Sequence, residues 1–148
     1  MNLLEDLYQQ ALNSGISVED FRLPVTVSAA ALVEGKYYIG IDRSQIETSY
    51  EEAEHLAHEL GHCKTDAFYR EGESQRGRSE RKAEEWAIRR IVPPARFRAA
   101  CRHGCREVWE FAEELNLSCP FAEKVMAYYL SRPRQEEKED SHSGIPIA

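Results

Sequence analysis

The segment from Thr48 to Cys63 constrains the fold of this chain more than any other. Small and apolar residues recur there at the spacing of one helical face, at Ala53, Leu56, Ala57 and Leu60. Ser49 stands three residues before Glu52, an arrangement typical of a helix N-terminus. The sequence therefore predicts a helix over residues 50–63 that packs on a core and is capped by Ser49.

The same segment carries His58, Glu59 and His62 in the pattern His-Glu-x-x-His. At about 100° per residue, the two histidines project from one side of a helix, one turn apart, and can share a metal ion. Glu59 points a little around the helix, where a carboxylate can act as general base on a water molecule. Imidazole and carboxylate ligands with one open position are the usual set of catalytic zinc. The pattern predicts one Zn²⁺ per chain, with Glu59 as the catalytic group.

Gly61 lies inside this predicted helix. A glycine in a helix interior costs about 1 kcal/mol relative to alanine, so its presence calls for a packing reason. We expect another backbone to pass close to the helix at this point.

The length of 148 residues suits one compact domain, which we place at residues 1–130, followed by a disordered charged tail at 131–148. The net charge of -7 argues against direct binding to nucleic acid. No apolar run is long enough to span a membrane and no signal peptide is recognisable, so we expect a cytoplasmic protein. The four cysteines are expected to be free thiols.

The remaining patterns predict an α+β fold that is mostly helical. In chain order they indicate an N-terminal helix, a connector at 18–24, a β-hairpin at 25–42, a surface loop at 64–78, a helix at 80–92 and further helices at 94–102, 105–115 and 120–130. Ser79 and Ser118 are the expected N-caps of the helices that follow them. The hairpin is expected either to cover the metal helix or to offer an edge strand to an extended substrate.

A third metal ligand is needed, because two histidines leave a tetrahedral catalytic site one protein ligand short. Glu80 and Glu84 share one face of the helix predicted at 80–92 and are the first candidates. Asp66, four residues after His62, is a further candidate, ranked second because it is expected just beyond the helix end.

At these residues the chain resembles the ImmA/IrrE family of zinc peptidases. That family's pattern is His-Glu-x-x-His after a small residue, then a helix reading Glu-x-x-Ala-Asn-x-aromatic-Ala, an apolar run and a proline. The matching stretches are Ala57-His58-Glu59-Leu60-Gly61-His62, Glu80-Arg81-Lys82-Ala83-Glu84-Glu85-Trp86-Ala87 and Ile91-Val92-Pro93. The resemblance covers most of residues 1–130.

The resemblance implies a zincin-like fold with His58, His62 and Glu80 as zinc ligands and Glu59 as catalytic acid and base. Glu84 replaces the family's usual asparagine, and is expected either to accept an imidazole N–H from a ligand histidine or to compete with Glu80 as the ligand. Arg90 interrupts the apolar run before the proline.

The resemblance also implies a function, which is cleavage of a helix-turn-helix transcriptional repressor of a phage or mobile element. The alternative is a non-catalytic module of the same fold that binds and inactivates such a repressor. A DNA-contacting role for the helices on either side of Ser118 is disfavoured by the acidic balance of the chain. Candidate donors to the oxyanion of a peptidase reaction are His55, Tyr50 and Tyr69.

Overall fold

The computed structural model describes residues 2–66, 68 and 73–131. These residues form an α+β fold of six α-helices and one three-stranded sheet, which agrees with the predicted class. The elements are α1 (Leu3–Asn13), β1 (Ser17–Asp20), β2 (Ser28–Val33), β3 (Lys36–Ile41), α2 (Ser49–Thr65), α3 (Glu73–Ile91), α4 (Pro94–Arg102), α5 (Val108–Leu115) and α6 (Cys119–Leu130). Apart from Ser131, the tail predicted to be disordered lies outside the described residues.

A membrane-spanning helix is absent from the described part of the chain, where each helix is too short or too polar for that role.

The predicted β-hairpin is confirmed as β2 and β3, which pair in antiparallel fashion from Ser28 opposite Ile41 to Val33 opposite Lys36. Its turn consists of Glu34 and Gly35, both with positive φ, at 50° and 78°. A two-residue turn with positive φ at both positions matches the right-handed twist of the strands that it joins. The first strand begins three residues later than expected, at Ser28.

The connector predicted at 18–24 is wrong in its first part, because Ser17–Asp20 forms β1. This strand pairs with β3 in parallel, with Ser17 opposite Tyr38 and Asp20 opposite Ile41, so the sheet is mixed and has the order β1-β3-β2. A four-residue strand with two acidic residues carries little β-propensity of its own. Its pairing depends on β3, which lies far from it in sequence.

Helix α2, which carries His58, Glu59 and His62, lies at the centre of the fold, in contact with α1, α3, β2 and β3. Its predicted apolar face is confirmed, since Leu56, Ala57 and Leu60 are fully buried. Because α2 is packed on several sides, the positions of the residues that it carries are held firmly.

The predicted N-cap of α2 is wrong by one residue. Thr48 is the cap, and its hydroxyl oxygen accepts the backbone N–H of Glu51 at 3.1 Å. The carboxylate of Glu52 instead accepts a hydrogen bond from the hydroxyl of Tyr8 in α1. Glu52 therefore makes a tertiary contact with α1 instead of the capping contact that the sequence predicted.

The start predicted for the helix at 80–92 is also wrong. α3 begins at Glu73 rather than after Ser79, so that Ser79 lies within the helix and is buried. Residues 76–78 are exposed and polar, and therefore show no apolar periodicity from which a helix could be predicted. The loop predicted at 64–78 consequently ends before Glu73, and its residues 67 and 69–72 lie outside the described part of the chain.

The helices predicted after Pro93 are confirmed with small shifts. α4 has the expected bounds, and α5 begins at Val108 rather than Cys105. Ser118 caps α6 as predicted, its hydroxyl oxygen accepting the N–H of Phe121 at 3.3 Å. Ser118 also donates to the buried carboxylate of Glu54, which ties the start of α6 to α2.

Candidate metal centre

α3 packs against α2 at Gly61. A Cβ atom added there would lie 2.5 Å from the carbonyl oxygen of Ala83 and 2.9 Å from its Cα atom, distances at which the two backbones would have to separate. Ala83 is itself fully buried. The close backbone expected from the sequence is therefore that of α3, and the approach brings Glu80, three residues earlier, over the two histidines.

Glu80 contacts both histidines of the His-Glu-x-x-His pattern. Its Oε2 atom lies 2.9 Å from Nε2 of His58, and its Oε1 atom lies 3.2 Å from Nε2 of His62. One ligand atom from each of the three side chains lies within 4.8 Å of the others. His62 is buried, His58 is half-buried and Glu80 is exposed, so the group opens to solvent on the side of α3.

The donor set of this group fits zinc. Two imidazole nitrogens and one carboxylate oxygen are the protein ligands of many catalytic zinc sites, which keep the fourth position for water or substrate. In a tetrahedral site with bonds of about 2.0–2.1 Å, the donor atoms lie roughly 3.3 Å apart. Oε2 of Glu80 lies 2.9 Å from Nε2 of His58 and Oε1 lies 3.2 Å from Nε2 of His62, both close to that separation.

The other two candidate ligands are placed differently. The Glu84 carboxylate, one turn after Glu80, forms an ion pair with Lys124 of α6 at 3.0 Å. Asp66 ends α2 in the left-handed conformation, with φ 52°, and accepts a hydrogen bond from the hydroxyl of Tyr37 at 2.9 Å. Of the three carboxylates considered, Glu80 is the one that the structure brings together with both histidines.

Glu59 lies next to this group and is buried, with 5% of its surface exposed. Burial raises the pKa of its carboxyl group, while the hydrogen bond from Ser28 and the two neighbouring histidines oppose that rise. The hydroxyl of Ser28 donates to Oε2 of Glu59 at 2.6 Å. A carboxyl group held in a buried position beside candidate metal ligands is suited to exchange protons with a bound reactant.

Ser28 was missed by sequence reasoning. It opens the run Ser28-Ala29-Ala30-Ala31, in which alanines occupy both faces of the strand and hide the alternation that would reveal an inward-facing serine. A polar residue at the start of a strand is also common without any function.

The three candidate oxyanion donors lie in different parts of the chain, and one of them lines the cleft. His55 lines the same cleft, half-buried, with Nδ1 3.4 Å from the Ser28 hydroxyl oxygen, and burial lowers its pKa. The hydroxyl of Tyr50 is 3.5 Å from the side-chain oxygen of Asn116. Tyr69 lies outside the described residues. Of the two described candidates, His55 is the one that lines the cleft and contacts Ser28, the residue that bonds Glu59.

The cleft is open to solvent and is lined by both polar and apolar side chains. Its walls come from β2, α2 and the starts of α3 and α6, and include Ala29, Ala30, His58, Glu80 and Phe121. The small side chains of β2 leave room along that wall for an extended chain next to the candidate metal ligands.

The contact between Gly61 and Ala83 predicts the effect of Gly61→Ala. The added methyl group must push α3 away, at a cost of about 1–3 kcal/mol for overpacking that exceeds the helix propensity gained. The control is Gly77→Ala within α3, where a Cβ atom meets no atom of the described residues within 4 Å. A gain of roughly 0.5–1 kcal/mol is expected there. Urea unfolding of the metal-free protein measures both, and stabilisation by both substitutions would contradict the close approach.

No family model matches the chain, and a search of curated proteins gave no match.

Proposed function

We propose that this protein is a zinc-dependent endopeptidase with a zincin-like fold. The observation that carries the proposal is the convergence of His58, His62 and Glu80 beside the buried carboxyl group of Glu59, in an open cleft. A purely structural metal site has no need of a carboxylate next to the ligands, whereas hydrolysis needs a base there. The resemblance of the two helices to the ImmA/IrrE pattern supports the same proposal.

Each residue has a defined part in the proposed reaction. His58, His62 and Glu80 hold the ion, which when bound polarises the scissile carbonyl and makes water acidic enough to ionise near neutral pH. Glu59 takes a proton from the attacking water and delivers it to the leaving amine, so it acts first as base and then as acid.

The sheet supports an extended mode of substrate binding. β2 stands at one end of the strand order, so its outer edge is not paired with another described strand. Ser28, Ala29 and Ala30 of this strand line the cleft that contains His58 and Glu59. A substrate backbone added to that edge would pass directly beside the proposed ligands, with affinity from main-chain hydrogen bonds.

The proposed substrate is a helix-turn-helix transcriptional repressor of a phage or mobile element, as the family resemblance implies. A repressor would have to present a segment that can extend along β2, such as a linker or a locally unfolded region. Peptide cleavage and repressor cleavage are therefore tested separately.

The test of the proposed activity is digestion of a proteome-derived peptide library by the zinc-loaded protein, with new termini identified by mass spectrometry. We expect new termini that disappear when a zinc chelator is present and return when zinc is restored. Intact helix-turn-helix repressors are then offered as substrates. A zinc-loaded protein that generates no new termini, and yet binds a repressor, would replace the peptidase with the non-catalytic binding module.

A further inference from the structure

Ser28 occupies a position that the proposed reaction does not yet use. It is the first residue of β2, faces the helices opposite Ile41 in the strand register, and has 8% of its surface exposed. Its hydroxyl oxygen lies 2.6 Å from Oε2 of Glu59 and 3.4 Å from Nδ1 of His55. One side chain thus joins the catalytic carboxylate to a second group in the cleft.

The direction of these two hydrogen bonds follows from the number of protons. A serine hydroxyl has one hydrogen, and an ionised carboxylate can only accept, so Ser28 donates to Glu59. Toward His55 the hydroxyl oxygen then accepts, which assigns the ring proton of a neutral imidazole to Nδ1. Nε2 is left without a proton, so His55 in this tautomer holds Ser28 and does not donate to an oxyanion. The resulting order of donation is His55 to Ser28 to Glu59.

The buried carboxylate of Glu59 receives little hydrogen bonding. Within the described part of the chain, Ser28 is its one hydrogen-bond donor. A glutamate side chain has three torsions, and a base that must meet a water molecule works only in a narrow range of orientations. Fixing one oxygen leaves the other to exchange the proton.

We propose that Ser28 is a positioning residue for the peptidase reaction, which holds the Glu59 carboxylate in its proton-accepting orientation while its own oxygen is held by His55. This inference rests on the proposed function. It assigns to the sheet a role beyond substrate binding, since the strand that borders the cleft also orients the base.

The test compares Ser28→Ala with Ser28→Thr, which keeps the hydroxyl, and with Ser17→Ala. Ser17 is a matched control because it also opens a strand of this sheet and its hydroxyl donates to the exposed Glu19 at 3.3 Å. For Ser28→Ala we expect kcat to fall by about 10-fold or more, while KM and zinc affinity change by less than roughly 2-fold. Ser28→Thr is expected to recover most of the lost kcat, and Ser17→Ala to retain all of it.

A double-mutant cycle separates positioning from a general structural effect. Added to Glu59→Ala, Ser28→Ala should leave the residual rate unchanged, because the group that it orients is already absent. In metal-free protein, Ser28→Ala should lower the melting temperature when Glu59 is present and not when it is alanine. Equal losses of activity in both backgrounds would overturn the positioning role.

Two failures remain distinguishable. If wild type cleaves peptides and Ser28→Ala has the same kcat, the role of Ser28 is overturned and the peptidase stands. If wild type binds zinc and cleaves no peptide, the peptidase is overturned and the role of Ser28 in it falls as well.

Discussion

Replacing Glu59 with glutamine is expected to lower kcat for peptide hydrolysis by about 100- to 10,000-fold, which is the usual contribution of a positioned general acid or base. Glutamine has nearly the same shape, and its amide oxygen can still accept the hydrogen bond from Ser28, so the packing of this buried residue is kept. The amide cannot take a proton from water near neutral pH. The rate is measured on a cleaved peptide, with zinc content determined on the same sample.

The matched control is Glu113→Gln, at an exposed glutamate of α5. It changes the net charge by the same amount and should leave kcat unaltered. Zinc affinity should also survive Glu59→Gln, because Glu59 is not among the three candidate ligands. A Glu59→Gln protein that loads zinc and hydrolyses peptide within a few-fold of wild type would show that another group is the base.

Replacing His62 with alanine is expected to have the largest effect on metal binding. It removes one of three donors, and His62 is the more buried of the two histidines. Zinc affinity should fall by more than the roughly 10- to 100-fold that follows from changing a group that only orients a ligand. Competition with a chromophoric chelator measures the affinity.

Stability provides a second readout of the same substitution. Zinc at 100 times its dissociation constant should stabilise the wild type by about 2.7 kcal/mol, and the variant far less. His103→Ala is the matched control, because His103 also pairs with a carboxylate, that of Glu114 at 2.9 Å, on a different part of the surface. Equal zinc stabilisation of wild type and His62→Ala would remove His62 from the ligand set.

The features that could be predicted from the sequence are those set by local spacing. The helical face of α2 and the pairing of His58 with His62 follow from 3.6 residues per turn. The β-hairpin at 25–42 was recognisable from two β-rich runs joined by a short polar segment. Gly61 also predicted a contact distant in sequence. A glycine destabilises a helix interior, so a close neighbouring backbone was expected there, and the structure places Ala83 against it.

The features that could not be predicted depend on partners distant in sequence. β1 exists because β3 offers it an edge, and its own four residues hardly indicate a strand. Glu52 bonds Tyr8 rather than capping α2, and the contact of Ser28 with Glu59 joins residues 31 positions apart. The family resemblance implied Glu80 rather than Glu84, but helical spacing alone left the two open, because the proximity of Glu80 to both histidines depends on how α3 lies on α2.

The most direct test of the metal centre is the zinc stoichiometry of wild type, Glu80→Gln and Glu84→Gln, measured by native mass spectrometry after loading with zinc and removing the excess. The proposed site predicts one zinc per chain in wild type and in Glu84→Gln, and little or none in Glu80→Gln. Wild type that retains no zinc under these conditions would contradict the metal centre. Zinc lost from Glu84→Gln but kept by Glu80→Gln would contradict the ligand set.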